Sequence, residues 1–323
     1  MLWRRRRLAT DSYKTGAVGA DHAGRMPIDV SAAREFMAAH ARVLDRRRFE
    51  LLTDETRGPE GVLAALDGYR NADGGYGWGL EPDLRAPESQ PGAALHAFEV
   101  FEDIAPATAP QAAALCDWLD GVTLPDGGLP FALPVSTTAG TAPWWASGDP
   151  AVSSLQITSV TAAAAHRVAV HDRAVRDHPW LERATRYCLD AIAALEKPPH
   201  AYVLAFVVRF LDAVHDTRPR ESAELLERVR RFIPADGRVR VEGGTEDEAL
   251  YPLDFAPLPD RPARALFSPD VIAADLDRLA SLQQDDGGWT VDYLQISPAG
   301  ALDWRGYATV RAVDILRRNG VIR

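Results

Sequence analysis

Apolar residues recur at three- and four-residue spacing along most of the chain, which is the pattern of amphipathic helices. Asp29-Val30-Ser31 offers N-capping side chains before a predicted helix at 32–48, and Pro91 fits the first turn of a helix at 92–103. Segment 234–267 is predicted to be irregular, and no convincing strand pattern occurs. Further helices are predicted at 60–70, 109–120, 153–170, 180–196, 201–214, 221–232, 268–284 and 304–319. The pattern therefore predicts an all-α fold of about ten or eleven helices.

These helices are of two kinds. Segment 272–282 carries charged residues on one face, whereas segments 92–95, 160–165 and 201–208 consist almost entirely of small and apolar residues. A helix that is apolar on nearly all sides is buried on all sides. The alternation predicts an inner ring of helices inside an outer ring, which is an α/α toroid or incomplete α6-barrel. An open solenoid of the HEAT kind is the alternative, and the long loops favour the toroid.

The phrase Asp-Gly-Gly followed by a bulky residue ends several predicted helices. Two glycines permit the positive φ angles of a tight helix exit, the aspartate can accept bonds from turn amides, and the bulky residue can fill the gap between helix ends. The steps between copies are 53, 110 and 50 residues, which is close to one, two and one units of a period near 53. Such a period predicts stacked helical hairpins. The copies are Asp73-Gly74-Gly75-Tyr76, Asp126-Gly127-Gly128-Leu129 and Asp286-Gly287-Gly288-Trp289, with a reduced copy at Asp236-Gly237.

The segment Gln284-Asp285-Asp286-Gly287-Gly288-Trp289 resembles the QW repeat of the squalene–hopene cyclase and prenyltransferase β-subunit superfamily, also called the prenyltransferase/squalene oxidase repeat. Segments 71–78 and 124–129 are weaker variants, and by repeat layout the resemblance covers roughly residues 60–320. It implies an α/α toroid of helical hairpins and a terpene cyclase-like activity on an isoprenoid. The chain departs from the family in lacking the Asp-x-Asp-Asp motif with which class II cyclases protonate an alkene.

An acid that protonates an alkene must stay protonated at working pH, which requires burial beside another carboxylate. Asp247 and Glu248 follow the reduced repeat copy by about ten residues, the interval at which the family places its acid; a solvated acidic loop is the alternative. Glu81 and Asp83 lie in a long loop, 78–90, that leads into the predicted inner helix bearing His96. Long loops of this kind are often functional. The sequence favours Glu81 and Asp83 as the general acid, with His96 assisting as a base or orienting group.

Aromatic and basic residues near the loops and at the starts of inner helices are candidates for binding substrate. Aromatic rings can line an apolar pocket and stabilise carbocations through their faces, although they also serve as packing residues. The predicted substrate-binding residues are Trp78, Arg85, Trp144, Trp145, His166, Tyr293, Trp304, Arg305 and Tyr307.

Composition excludes several classes of function. The chain has 323 residues and a net charge of −10, which argues against nucleic-acid binding. Two cysteines, Cys116 and Cys188, fit a reducing cytoplasm, and no apolar run reaches the roughly 18–20 residues of a membrane span. Neither a zinc motif nor a nucleotide-binding motif occurs, so no metal or cofactor is predicted. Residues 1–25 are predicted to be a disordered tail or a misassigned start, and 26–323 a single domain.

These observations predict an enzyme that handles a hydrophobic small molecule, such as an isoprenoid, in a central apolar pocket with a carboxylate as general acid. Two alternatives stay open. Paired carboxylates and tryptophans also suit a carbohydrate-active hydrolase, lyase or epimerase. The chain could also be a non-catalytic binding protein that has kept the fold. The polarity of the pocket distinguishes the two enzyme classes.

Overall fold

A computed structural model describes residues 28–322, and the predicted tail at 1–25 lies outside them. Within these residues the fold is all-α, as predicted, with fourteen α-helices, one 3₁₀ helix and one pair of two-residue strands. The α-helices are α1 (Val30–His40), α2 (Val43–Thr53), α3 (Glu60–Asp67), α4 (Pro91–Asp103), α5 (Pro110–Val122), α6 (Pro143–Ala146), α7 (Leu155–Ala169), α8 (Arg173–Arg176), α9 (Pro179–Ala193), α10 (Ala201–Val214), α11 (Pro219–Arg230), α12 (Pro252–Phe255), α13 (Pro269–Ser281) and α14 (Pro298–Arg318). The 3₁₀ helix is Pro262–Leu266.

Several predicted elements differ from the structure. The single helix predicted at 32–48 is two helices, because the chain is extended at Ala41 and Arg42 before α2 begins. The segment predicted to be irregular, 234–267, contains α12 and the antiparallel strands β1 (Val239–Arg240) and β2 (Ala249–Leu250). Helical spacing alone could not reveal the break, since apolar residues continue on one face across it.

Helix starts follow the capping chemistry of the sequence. Asp29, Ser154, Ser268 and Ser297 each accept a backbone N–H of the first turn that would otherwise lack a partner. The Ser297 cap and Pro298 begin α14 earlier than residue 304, where the helix was predicted to start. The helix thereby begins six residues earlier than predicted.

The small-residue helices lie at the centre. Eleven of the fifteen residues of α7 are buried, and α7 packs against α4, α9 and α10. By contrast, α11 buries four of its twelve residues. The last helix, α14, contacts α1 and α2, so the two ends of the described chain meet. This closing contact is what a ring of helices requires, while the toroid itself remains a prediction.

The Asp-Gly-Gly turns have the predicted backbone geometry. Gly74, Gly127 and Gly287 have φ angles of +92°, +92° and +87°. In each turn the aspartate Oδ1 accepts the N–H of the second glycine at 3.0–3.1 Å. The bulky residues Tyr76, Leu129 and Trp289 are fully buried behind the turns. The repeated phrase is therefore a structural device that exits a helix and fills the space behind it.

Among the described residues, no helix is both long and apolar enough to cross a membrane.

Candidate functional site

A cavity of about 550 Å³ lies between α4, α7, α10 and α14 and the loops that precede them. Small and apolar side chains of α4, α7 and α10 form one side of it, among them Leu95, Val160 and Ala205. Aromatic rings form much of the remainder: Phe131, Trp144, Trp145, Tyr202, Tyr293 and Trp304. The buried faces of four central helices thus enclose a chamber whose surface is largely apolar, with charged groups at its edges.

The loop that carries Glu81 and Asp83 is held from both sides. The guanidinium of Arg42 donates to the carbonyl oxygens of Gly79 and Leu80 at 3.2 and 2.9 Å. On the other side, the N–H of Ala142 donates to the carbonyl oxygen of Asp83 at 2.8 Å. Glu81 and Asp83 are both buried. The break between α1 and α2 places Arg42 against this loop.

A chain of hydrogen bonds runs inward from Glu81. His96 on α4 bridges two carboxylates: its Nε2 lies 3.0 Å from Glu81 Oε2 and its Nδ1 lies 3.0 Å from Glu99 Oε2. The hydroxyl of Tyr307 on α14 donates to Glu99 Oε1 at 2.8 Å. Arg48 lies 3.8 Å from Glu99 and pairs with Asp103 at 2.6 Å. The chain connects the loop to the central helices through groups that sequence spacing alone does not bring together.

The two carboxylates set the charge of His96. Burial alone would lower the pKa of this imidazole, but Glu99 and then Glu81 favour the protonated form and raise its pKa to about 9. Burial likewise opposes ionisation of Glu99, yet His96, Arg48 and the Tyr307 hydroxyl hold the pKa of Glu99 well below its ordinary value. At neutral pH His96 is therefore an imidazolium that donates from both nitrogens.

Asp83 differs from the other carboxyl groups that line the cavity in having a raised pKa. Its side chain is 4% exposed. Burial and then the neighbouring Glu81 carboxylate raise the pKa of Asp83 to about 7. Within residues 28–322 its Oδ1 accepts no hydrogen bond of ordinary length and angle, and the indole Nε1 of Trp304, the nearby donor that opposes the rise in pKa, likewise has no partner of ordinary geometry. Asp83 is thus a carboxylic acid with a free oxygen, half protonated near neutral pH and facing an apolar chamber.

Glu248 also lines the cavity, but both of its oxygens accept hydrogen bonds. Oε1 accepts from the Tyr202 hydroxyl at 2.8 Å and Oε2 accepts from the N–H of Thr245 at 3.0 Å. Its neighbour Asp247 is exposed and does not line the cavity. Of the two acidic segments predicted from the sequence, only the one at 81–83 presents to the cavity a buried carboxyl oxygen without a partner in the described residues.

The aromatic wall is a packed cluster with fixed geometry. Trp304 meets Tyr293 edge to face at 5.2 Å between ring centroids and meets Tyr307 at 5.5 Å. The ring of His96 lies against Tyr307 at 5.2 Å. Such edge-to-face contacts fix ring orientations that can face a ligand without rearrangement. The predicted residues Trp144, Trp145, Tyr293, Trp304 and Tyr307 all contribute to this cavity.

Four other predicted binding residues lie away from the cavity. Trp78 is 58% exposed, and its Nε1 donates to Asn71. Arg85 pairs with Asp303 at 2.5 Å, and Arg305 pairs with Asp286 of the third repeat turn through both guanidinium nitrogens.

The fourth is His166, which bonds Thr185 on α9 at 2.8 Å, and burial lowers the pKa of His166 to about 4. All four residues are held by partners that stabilise the fold.

Several cavity residues were not singled out from the sequence. Glu99 stands three residues after His96, a helical spacing that places both side chains on one face of α4. Arg209 interrupts the apolar run of α10, and Arg311 lies one turn beyond Tyr307 on α14. Arg209 could have been identified from the sequence, because a charged residue is unusual in so apolar a helix. Tyr202 carried no comparable signal.

No family model matches the chain, and no curated protein matches it. Its fold is similar to that of a solved structure described as a protein from Actinoplanes, with a TM-score of 0.52 and 16% sequence identity. The match covers 90% of this chain and 99% of that one. At this identity the likeness concerns the fold alone.

Proposed function

We propose that this chain is an enzyme that protonates a hydrophobic small molecule of isoprenoid type, with Asp83 as the general acid. One observation carries the proposal. A buried carboxyl group with a pKa of about 7 and an unpartnered oxygen faces an aromatic-lined cavity of about 550 Å³. An acid whose pKa is near the working pH combines availability of the proton with the strength to donate it.

In the proposed reaction the protonated Asp83 donates its proton to one carbon of a substrate double bond. The π electrons form the new C–H bond, and the adjacent carbon becomes cationic. The faces of Trp304, Tyr293 and Trp145 can stabilise that cation as it rearranges or cyclises. Loss of a proton from a neighbouring carbon to the Asp83 carboxylate restores the acid. The product is then an isomer of the substrate, and no other reactant is consumed.

Glu81 and His96 have positioning roles in this scheme. Glu81 uses one oxygen to accept the N–H of Asp83 at 3.0 Å and the other to accept His96. His96 holds this carboxylate in place, and the negative charge of Glu81 helps to keep Asp83 protonated. Because both Glu81 oxygens are engaged, Asp83 is the better proton donor of the two. The family resemblance of the repeats supports the same choice of substrate class.

The test is incubation of purified protein in D₂O with squalene-type polyenes and polyprenyl diphosphates, followed by mass spectrometry. We expect an isomeric product that carries one solvent deuterium. Asp83→Asn should lower turnover by about 10²–10⁴-fold, the usual contribution of general acid catalysis. Asp270→Asn, at an exposed site in the first turn of α13, is the matched control and should retain full activity.

Oligosaccharides in a parallel incubation test the carbohydrate alternative. Turnover of a sugar without turnover of any apolar substrate would overturn the proposal. Binding of apolar substrates without turnover would instead favour a non-catalytic binding protein. The predominance of apolar groups around the cavity supports the hydrophobic substrate over the sugar.

A further inference from the structure

The inner end of the cavity is shared with a second, smaller cavity. Arg209 on α10 and Arg311 on α14 line both spaces, together with Glu99 and Tyr307. The second cavity has a volume of about 140 Å³ and is lined largely by charged residues. These four side chains therefore form a polar floor beneath the apolar chamber.

Nearly all of the charge around this floor is neutralised by ion pairs. Four arginines that line the smaller cavity each pair with a carboxylate: Arg48 with Asp103, Arg167 with Glu102, Arg311 with Asp254 and Arg318 with Asp314. Arg209 is the exception. Among residues 28–322 its guanidinium makes neither a hydrogen bond nor an ion pair, although the side chain is largely enclosed.

The carboxylates that could neutralise Arg209 are already engaged. Glu99 accepts from His96 and Tyr307, and Asp212 pairs with Arg261 and accepts the N–H of Ala263. Burial, and then the charges of Arg311 and Arg167, lower the pKa of Arg209 to about 10, so it remains cationic at neutral pH. A largely enclosed cation without a partner is costly in an apolar protein. An anion bound at Arg209 would remove this cost.

We propose that Arg209, with Arg311 beside it, binds the acidic head group of an amphiphilic ligand whose apolar chain fills the cavity above. One unpaired guanidinium matches one acidic group, either a carboxylate or a phosphate monoester, both of which it can bind through two parallel hydrogen bonds. The inference deepens the proposed function and rests on it only for the apolar part of the ligand.

The positions of Arg209 and Asp83 set the orientation of this ligand. Arg209 follows Tyr202 by seven residues on α10, which is about 10 Å along the helix axis. Tyr202 bonds Glu248, and Tyr293 lies within electrostatic range of both Tyr202 and Asp83, so these residues share one end of the chamber. A head group at Arg209 therefore directs the far end of an extended chain toward Asp83. Proton donation then falls at a carbon remote from the acidic group.

The experiment compares three ligands of equal chain length, namely an alkyl carboxylate, an alkyl phosphate and the neutral alcohol, below their micellar concentrations. Titration calorimetry on the full chain measures Kd. We expect at least one acid to bind about tenfold or more tightly than the alcohol, since hydrogen bonds to charged groups are strong. The preferred acid identifies the head group.

Arg209→Gln should reduce the affinity for that acid to the level of the alcohol and change the affinity for the alcohol less than threefold. Arg209→Lys should restore part of the difference, and Arg220→Gln, an exposed site on α11, should have no effect. Equal binding of acid and alcohol, absence of acid binding, or parallel loss of both in Arg209→Gln would overturn the proposal. Asp83→Asn should retain the preference for the acid over the alcohol whatever it does to turnover, which separates this test from that of the proposed catalysis.

Discussion

The backbone N–H of Asp83 donates to the carboxylate of Glu81 at 3.0 Å, so the two acidic residues of one loop have unequal roles. Glu81 has both oxygens engaged, one by this amide and the other by His96. Asp83 retains an oxygen without a partner in the described part of the chain. A fixed negative charge beside a buried carboxyl group favours its protonated form. Two residues that look alike in sequence thereby separate into a positioning group and a proton donor.

Glu81→Gln should lower the pKa of Asp83. Burial is the larger cause of the raised pKa and persists in this variant, so we expect a decrease of roughly one unit rather than a return to the ordinary value. Carboxyl carbon NMR of aspartate-labelled protein measures this titration without any substrate. Arg85→Gln, which removes a cation whose charge lowers the same pKa, should shift it in the opposite direction. An unchanged midpoint in both variants would contradict the assignment of its causes.

The same pKa makes the rate depend on pH. Because Asp83 must be protonated to act, kcat on an apolar substrate should be high below pH 7 and fall as the pH rises through about 7. The descending limb should move to lower pH in Glu81→Gln. A rate that rises with pH over this range would mean that Asp83 acts as a base or does not act at all.

Asp83 should also destabilise the protein at neutral and alkaline pH. Its folded pKa of about 7 lies above the ordinary 3.8, so the folded state holds the proton more tightly than the unfolded state. The stability associated with this proton is fully present below pH 3.8 and is lost as the pH rises through about 7. Asp83→Asn cannot ionise, so its melting temperature should exceed that of the wild type by more at pH 8 than at pH 5. Differential scanning calorimetry at both pH values measures this gap, and an equal gap would contradict the raised pKa.

Much of the helical fold could be predicted because apolar spacing and capping residues act locally. The helix at 201–214 was predicted with the bounds that it has in the structure, and the Asp-Gly-Gly turns follow from the conformational freedom of glycine. The break after α1 could not be predicted, because Arg42 is held there by carbonyl groups of a loop 37 residues later. Local pattern does not contain such a contact.

The candidate site was predictable only in part for the same reason. Asp83 and His96 could be found from an acidic loop that leads into an apolar helix. The sequence could not distinguish His96 from His166, since both lie on central helices and only tertiary packing decides which faces the cavity. The hydrogen bond from Tyr307 to Glu99, the partner of His96, joins residues 208 positions apart. No spacing rule within one helix reaches that far.

His96 should contribute more to stability at pH 6.5 than at high pH. Its folded pKa of about 9 exceeds the ordinary 6.5, so its contribution is fully present below pH 6.5 and is lost as the pH rises through about 9. Removal of the imidazolium leaves Glu81 and Glu99 without their shared partner. His96→Ala should therefore lower the free energy of unfolding by about 3–5 kcal/mol at pH 6.5.

Urea denaturation of wild type and His96→Ala at pH 6.5 and pH 9.5 tests this expectation, and the difference between them should shrink at the higher pH. His171→Ala, at an exposed site between α7 and α8, is the control and should stay within about 0.5 kcal/mol of the wild type. A difference that does not vary with pH would show that His96 contributes packing rather than charge.

Two glycines with similar backbone angles provide a matched test of the repeat turn. Gly287 has a φ angle of +87°, and a Cβ added there would lie 2.2 Å from the backbone of Ala32 in α1. Gly243 has a φ angle of +77°, and a Cβ there would meet nothing within 4 Å. Gly243→Ala should cost about 1–2 kcal/mol, from the left-handed backbone alone. Gly287→Ala should cost roughly 2–5 kcal/mol, because steric overlap with α1 adds to that strain. Urea denaturation measures both free energies of unfolding, and equal losses would mean that the third repeat turn does not pack against α1 as closely as this geometry requires.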